Sequence, residues 1–355
     1  MLEPLALLKE LTALPGLSGH EQAVRQYLTR LWQPLTDEIS MSPLGSLHAL
    51  RRGCGSDPRP AVLLAAHMDV IGLMVSKIDG EFLHVTRVGG IDARVLAGQL
   101  VTVHGKRDLP GILVLTPAAL LPPGRNNKNL LLEDILIDTG LTAGEVKELI
   151  PVGSLVSFAR PPLELNGDML AAPGLDNRAS LAALTLCAQE LQHMTPAWDV
   201  WLAATVQEEV TLAGGATSPF ALHPAMTIAV DVTFGKGPGT PDDYRSFQLG
   251  KGVALGLGAN IHPKIHQAMK NLAEQLEIPV FTDLMPGHSG TEAFAMQIVA
   301  GGIPTMVVEI PLRNMHTPVE VIALRDVSRT ARLLAEFIAR LSPDFVDTLR
   351  WNNPA

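Results

Sequence analysis

Trp198–Gly215 reads WDVWLAATVQEEVTLAGG, and the fold is decided by how that stretch divides. Residues 199–206 form a short apolar run rich in β-branched and aromatic residues, the pattern of a buried strand. Gln207, Glu208 and Glu209 follow at once, and then a glycine-containing loop. Two adjacent carboxylates at the mouth of a buried strand are costly to desolvate unless a cation stands beside them. In extended backbone successive side chains face opposite ways, so the two glutamates can do different jobs: one could bind a metal while the other handles a proton. The plainer alternative is a solvated acidic turn. The rest of the chain decides between them.

On either side of this stretch the texture is that of an α/β protein. Ala61–Ala66 (AVLLAA) is an all-apolar run that ends at His67 and Asp69. Residues 177–192 predict a helix rich in Ala and Leu, and strands are expected over 226–231, 252–258, 279–282 and 303–309. Helices over 263–276, 290–297 and 323–341 alternate with them, which means a sheet covered on both faces. Nearer the N-terminus, helices are expected over 3–13 and 19–35, the second started by a capping box of Ser18 and Glu21. Strands follow over 38–41 and 46–51.

Between Val70 and Leu165 the pattern changes to short alternating segments separated by Gly, Pro and Asp, the signature of a small β-barrel or sandwich. One short helix over 142–149 interrupts it, opened by Thr142 and Glu145 in capping-box spacing, and PAALLPPGRNNKN (117–129) reads as a mobile loop. The expected architecture is an α/β domain made of 1–69 and 166–355, split by an inserted all-β, barrel-like domain over 70–165.

Composition narrows the function. Of 355 residues, 47% are hydrophobic and 18% charged, so the chain can bury a large core. A net charge of −9 without a basic run argues against nucleic acid or an anionic membrane as partner. Cys54 and Cys187 lack a CxxC context and read as reduced thiols. The N-terminal stretch carries glutamates and no basic n-region, and no run approaches the ~20 apolar residues of a membrane helix. A soluble, cytoplasmic protein is expected.

Acidic and histidine residues recur where buried strands end. His67 follows the first, Glu208 and Glu209 the next, Asp231 closes 226–231, His316 follows the last, and Asp176 opens a helix after the insertion. Ligands of open α/β sheets bind beyond the carboxyl ends of the strands, so these residues are expected on one rim. A single histidine after a strand is ordinary, and an aspartate opening a helix is first a cap. As a set, two imidazoles and several carboxylates suit Zn²⁺, Co²⁺ or Mn²⁺. Asp69, two residues after His67, faces the same side in extended backbone and is placed to hold that imidazole's other N–H.

Longer motifs join these residues: LSGHE at 17–21, AAHMDVIGLMV at 65–75, VGGIDARVLAGQ at 88–99, LIDTG at 136–140, LDNR at 175–178, QEEV at 207–210, VDVT at 230–233 and MHTPVE at 315–320. With them the chain resembles, over essentially its full length, the tetrahedral aminopeptidase family of dinuclear metallopeptidases. That family includes glutamyl aminopeptidases and proteins historically labelled endoglucanase M. The resemblance implies that His67, Asp176 and Asp231 hold one metal, and that Asp176, Glu209 and His316 hold the other. It makes Glu208 the general base and Asp69 the orienter of His67. It also implies a zinc-peptidase-like catalytic domain, an inserted domain used for assembly, commonly into hollow dodecamers, and short peptides as substrates. The chain departs from the family's habit in AAPGLDNR, EEVTLAGG, GTEA at 290–293 and Asn314 of RNMH, none of which removes an implied ligand.

Other motifs are weak. GLGAN at 256–260 and GKGPGT at 235–240 match neither a dinucleotide nor a Walker loop, and His288–Ser289 lacks a GxSxG elbow. His262 and His266 lack the glutamate of HExxH and read as a helix N-terminus and a solvated face. Three functional classes remain: a metal-dependent aminopeptidase, a related hydrolase such as a deacylase or glucanase, and a non-catalytic assembly protein. A glucanase would need an acid/base carboxylate pair around a sugar cleft, and an assembly protein is expected to have lost a ligand or Glu208.

Overall fold

The computed structural model describes residues 2–121, 130–241 and 246–351. Of the loop expected over 117–129, residues 122–129 lie outside the described residues.

The apolar runs become the middle of a mixed sheet that has eleven strands among the described residues. Asp199–Thr205, Ala61–His67, Met226–Phe234 and Thr305–Arg313 lie side by side and parallel, so their carboxyl ends share one edge. Residues 62–66 and 226–232 are buried without interruption, as strands covered on both faces must be. Leu47–Arg51 and Glu38–Met41 extend the sheet antiparallel on one side. On the other, Glu320–Ala323, Met169–Ala172 and Leu163–Leu165 continue it, while Val253–Gly258 and Val280–Met285 branch from Thr305–Arg313. Leu163–Leu165 had been expected inside the insertion, but it pairs with Met169–Ala172, so the chain is back in the large sheet by then.

Register matters more than strand count. Thr205 lies opposite His67, Ala65 opposite Ala229, and Asp231 opposite Glu309. Side chains repeat every second residue, so His67, Asp231 and Glu309 form one row on one face. Asp231 does not end its strand, which runs on to Phe234 because Thr233 and Phe234 keep pairing with Pro311 and Leu312.

Between Gly72 and Phe158, six strands close into an antiparallel barrel with a core of its own, including Leu73, Val101, Leu113, Ile137 and Val156. Thr142 and Glu145 do make the capping box of the helix Ala143–Leu149. Ser18 and Glu21 do not cap Gln22–Trp32, which has no side-chain cap. Their side chains turn to the site instead. The barrel reaches the α/β unit through the loop after Phe82–Val88, where a Cβ on Gly90 would lie 2.9 Å from Nδ1 of His316.

Candidate metal centre

The rim of the sheet gathers the residues expected there. His67 ends its strand, and its Nε2 is 3.2 Å from Oδ1 of Asp176, 3.7 Å from Oε2 of Glu208 and 3.9 Å from Oδ1 of Asp231. Nε2 of His316 is 3.3 Å from Oδ2 of Asp176 and 3.5 Å from Oε2 of Glu209. His67, Glu208 and Asp231 offer donor atoms within 4.8 Å of one another, as do His67, Asp176 and Glu209. The centre forms one end of a cavity of about 740 Å³.

Glu208 and Glu209 reach the site by a route the extended-strand reading did not foresee. Gln207 turns the chain at φ 59°, and the glutamates open the one-turn helix Glu208–Thr211. Both carboxylates then face the centre, each nearer a different imidazole. Asp176 is not a helix cap either. It has non-helical backbone, and its N–H donates to Oε2 of Glu320 at 3.1 Å, which frees the carboxylate to lie between the imidazoles.

Asp69 is buried beside His67, but the contact differs from the expected one. Nδ1 of His67 is 2.9 Å from the backbone carbonyl of Asp69 and 3.5 Å from Oδ1, so the main chain accepts the imidazole's hydrogen bond. The carboxylate accepts from Ser18 Oγ at 2.6 Å and from the backbone N–H groups of Glu208 at 2.9 Å and Glu209 at 3.1 Å. It therefore anchors the turn that presents both glutamates.

Three supporting residues had no part at the site in the sequence reading: Glu21 was read as half of a capping box, and Arg178 and Glu320 were not singled out. Glu320 accepts the N–H groups of Asp176 and, at 2.9 Å, of His316. Glu21 accepts those of Gly19 at 2.7 Å and Gln207 at 3.2 Å. Arg178 is buried and supplies positive charge near Asp69 and Glu21; burial lowers its pKa to about 10 against their pull. All three stand inside motifs quoted above, so the signal was a charged residue with no role at the site in an otherwise interpreted motif. His266 was misread: it is 6% exposed, and its Nδ1 bonds the carbonyl of Gly256 at 2.8 Å.

The electrostatics mark the cluster as short of positive charge. Burial first, and then neighbouring carboxylates, push Glu208 up to about 9, Asp231 to about 7 and Glu209 well above the usual range. Burial opposes ionisation of Asp176 as well, but hydrogen bonds from His316 and His67 hold it low. Burial opposes protonation of His67, yet Glu208, Asp176 and Asp69 outweigh it and raise its pKa. Oε1 of Glu209 is buried without a hydrogen-bond partner, and no lysine or arginine is among the described residues lining the cavity. Imidazole nitrogens and carboxylate oxygens converging with an orphaned oxygen and too few cations fit a bound divalent ion.

An α/β sheet with such a centre at its carboxyl edge and a barrel inserted beside it defines a metal-dependent aminopeptidase, a peptidase hydrolase. More particularly, the chain belongs to the M42 glutamyl aminopeptidase family, which matches residues 45–333. A lysyl aminopeptidase of Pyrococcus furiosus is 34% identical over 346 residues, covering 95% of this chain and 97% of that protein. The crystal structure of a TET aminopeptidase from Thaumarchaeota archaeon SCGC AB-539-E09 superposes with a TM-score of 0.92 at 29% identity, covering 98% of this chain and 99% of that one. The TET1 peptidase of Pyrococcus horikoshii, which can assemble into a tetrahedron or a large octahedral shell, gives 0.81 at 27% identity over 96% of this chain and all (100%) of that one.

Proposed function

We propose that His67, Asp176, Glu209, Asp231 and His316 hold two divalent ions with Asp176 shared, and that Glu208 is the general base in removing N-terminal residues from short peptides. The observation that carries this reading is the carboxylate of Asp176, with one oxygen 3.2 Å from His67 and the other 3.3 Å from His316. His67 and Asp231 fall to one side of it, His316 and Glu209 to the other. Zn²⁺ or Co²⁺ suits this donor set, and Mn²⁺ is compatible with it.

When bound, the ions supply Lewis acidity that polarises the scissile carbonyl and lowers the pKa of water in the site. The remaining work falls to the chain. Glu208 is not needed as a ligand in this assignment, and its backbone is fixed by Asp69. Burial holds its carboxyl at about 9, and added cations lower it toward neutrality, where a group both accepts and returns a proton well. It takes the proton of the attacking water and delivers it to the departing amine. Asp69 holds the turn, and its carbonyl fixes the tautomer of His67.

We further assign catalysis to 1–69 and 166–355 and assembly to the inserted region 70–165, giving a homo-oligomer of closed symmetry. A tetrahedral shell has twelve equivalent positions, so a dodecamer is the expected form. Exposed Leu100, Leu131 and Val152 on the barrel region support an assembly surface there. A cytoplasmic setting agrees with Cys54 and Cys187 both being free; no described helix is long and apolar enough to cross a membrane.

Amino-acyl p-nitroanilides assayed with and without chelator test the reading. Activity should vanish with chelator and return with Zn²⁺ or Co²⁺. Glu208→Gln should keep its metal and lose roughly 10²–10⁴ in kcat. Near-normal kcat in that variant at full metal content would remove Glu208 as the base.

A further inference from the structure

The cavity over the metal centre has a second acidic wall that the proposed chemistry does not use. Glu309 lies level with Asp231 in the sheet, is 3% exposed and lines the cavity; its side chain meets that of Asp283, and burial together with that carboxylate raises its pKa well above the usual range. Asp283, on Val280–Met285, lines the same cavity and accepts a hydrogen bond from Thr233 Oγ1 at 2.7 Å. Thr233 stands two residues beyond Asp231, roughly 6.6 Å farther along the strand. The paired carboxyl groups of Glu309 and Asp283 therefore lie together just beyond the ligand row.

Two carboxyl groups buried against each other cannot both ionise cheaply unless a cation joins them. Yet the described residues lining the cavity include no lysine or arginine to satisfy Glu309. Apolar surface is present beside it. Phe234, Leu284 and Met315 line the same cavity, which suits the methylene stem of a long cationic side chain. A cation arriving with the substrate meets both needs at once.

Resting on the aminopeptidase reading above, we propose that Glu309 and Asp283 form the subsite for a cationic side chain on the N-terminal residue of the peptide, making lysine and arginine the preferred residues to be removed. The substrate's α-ammonium is the other cation available. Norleucine separates the two, since it keeps the α-ammonium and an unbranched stem and lacks only the terminal charge.

The test compares kcat/KM for lysyl, arginyl, norleucyl and glutamyl p-nitroanilides on metal-loaded enzyme, with metal content measured for every variant. Lysyl and arginyl substrates should exceed norleucyl by about tenfold or more, as a site built around a polar partner rejects the analogue lacking it. In Glu309→Gln the lysyl-to-norleucyl ratio should fall by about tenfold at unchanged metal content, and Asp283→Asn should lower it too. Norleucyl equal to or better than lysyl in the unmodified enzyme overturns the proposal, whatever the variants do. So does an unchanged ratio in a fully metallated Glu309→Gln. Cleavage of none of the four substrates refutes the aminopeptidase reading itself and takes this subsite with it.

Discussion

His316 adopts φ 60°, a conformation that side chains other than glycine rarely take, and Gln207 beside the two glutamates adopts φ 59°. Each is held by a buried carboxylate from behind: Glu320 accepts the N–H of His316, and Glu21 accepts that of Gln207. Strained backbone at a site persists only where its surroundings over-determine it. Glu320→Gln replaces one accepting oxygen with an amide nitrogen, which donates and cannot accept, so either Asp176 or His316 loses its anchor. Metal affinity should fall by roughly 10–100-fold, the usual effect of losing an outer-shell partner, measured by competition with a chromogenic chelator. An unaltered affinity would mean that Glu320 does no orienting. The seven residues expected at the centre were legible because carboxylates and histidines at the ends of apolar runs stand out. Ser18 and Glu21 were not: their i, i+3 spacing satisfies the capping rule, and only the fold reveals that Asp69 and Gln207 claim them first. Glu309 was hidden in the opposite way, as a single charge inside the apolar run VVEIPL.

At the scale of elements, parallel strands of matched register turn a sequence rule into a geometry. One buried row holds His67 and Asp231, and the loops after the neighbouring strands deliver Glu208, Glu209 and His316 to the same edge. The strands were read to within two residues at their starts, but Met226–Phe234, Val280–Met285 and Thr305–Arg313 run three to four residues past the expected ends, because pairing continues where the apolar run stops; Leu163–Leu165 was not read as part of this sheet, because three residues carry too little pattern. One strand–helix contact makes a pH prediction. His48, in Leu47–Arg51, is buried against Ser218 of Ala213–Leu222, with Nε2 3.0 Å from Oγ. Burial lowers its pKa from 6.5 to about 4. The unfolded chain therefore takes up the proton first, and the contribution of His48 to stability, present above pH 6.5, is lost as the pH falls from there toward 4. The loss amounts to about 3 kcal/mol at most. Urea denaturation of chelator-treated protein between pH 7 and pH 4.5 should show a shallower acid loss for His48→Gln than for the unmodified chain. Identical slopes would contradict the assignment.

The described residues form two cores, one under the large sheet and one inside the barrel, and a loop of the barrel packs on His316 and Glu209. That division explains why the barrel is proposed for assembly. Sedimentation at micromolar concentration should give a large homo-oligomer, with twelve chains expected; a monomer throughout that range would remove the assembly role. The presence of a separate β-rich stretch was legible from a change of texture, because alternation with frequent turns and long apolar runs are different physical solutions to burying a strand; its end was not, since Leu163–Leu165 belongs to the large sheet. Whether that fold serves the proposed chemistry comes down to Asp176, which lies between the two imidazoles. Elemental analysis of protein loaded with Zn²⁺ or Co²⁺ and freed of excess metal tests this most directly. The account predicts two ions per chain, and loss of both from Asp176→Ala. A tight stoichiometry of one, or two ions retained by Asp176→Ala, would contradict it.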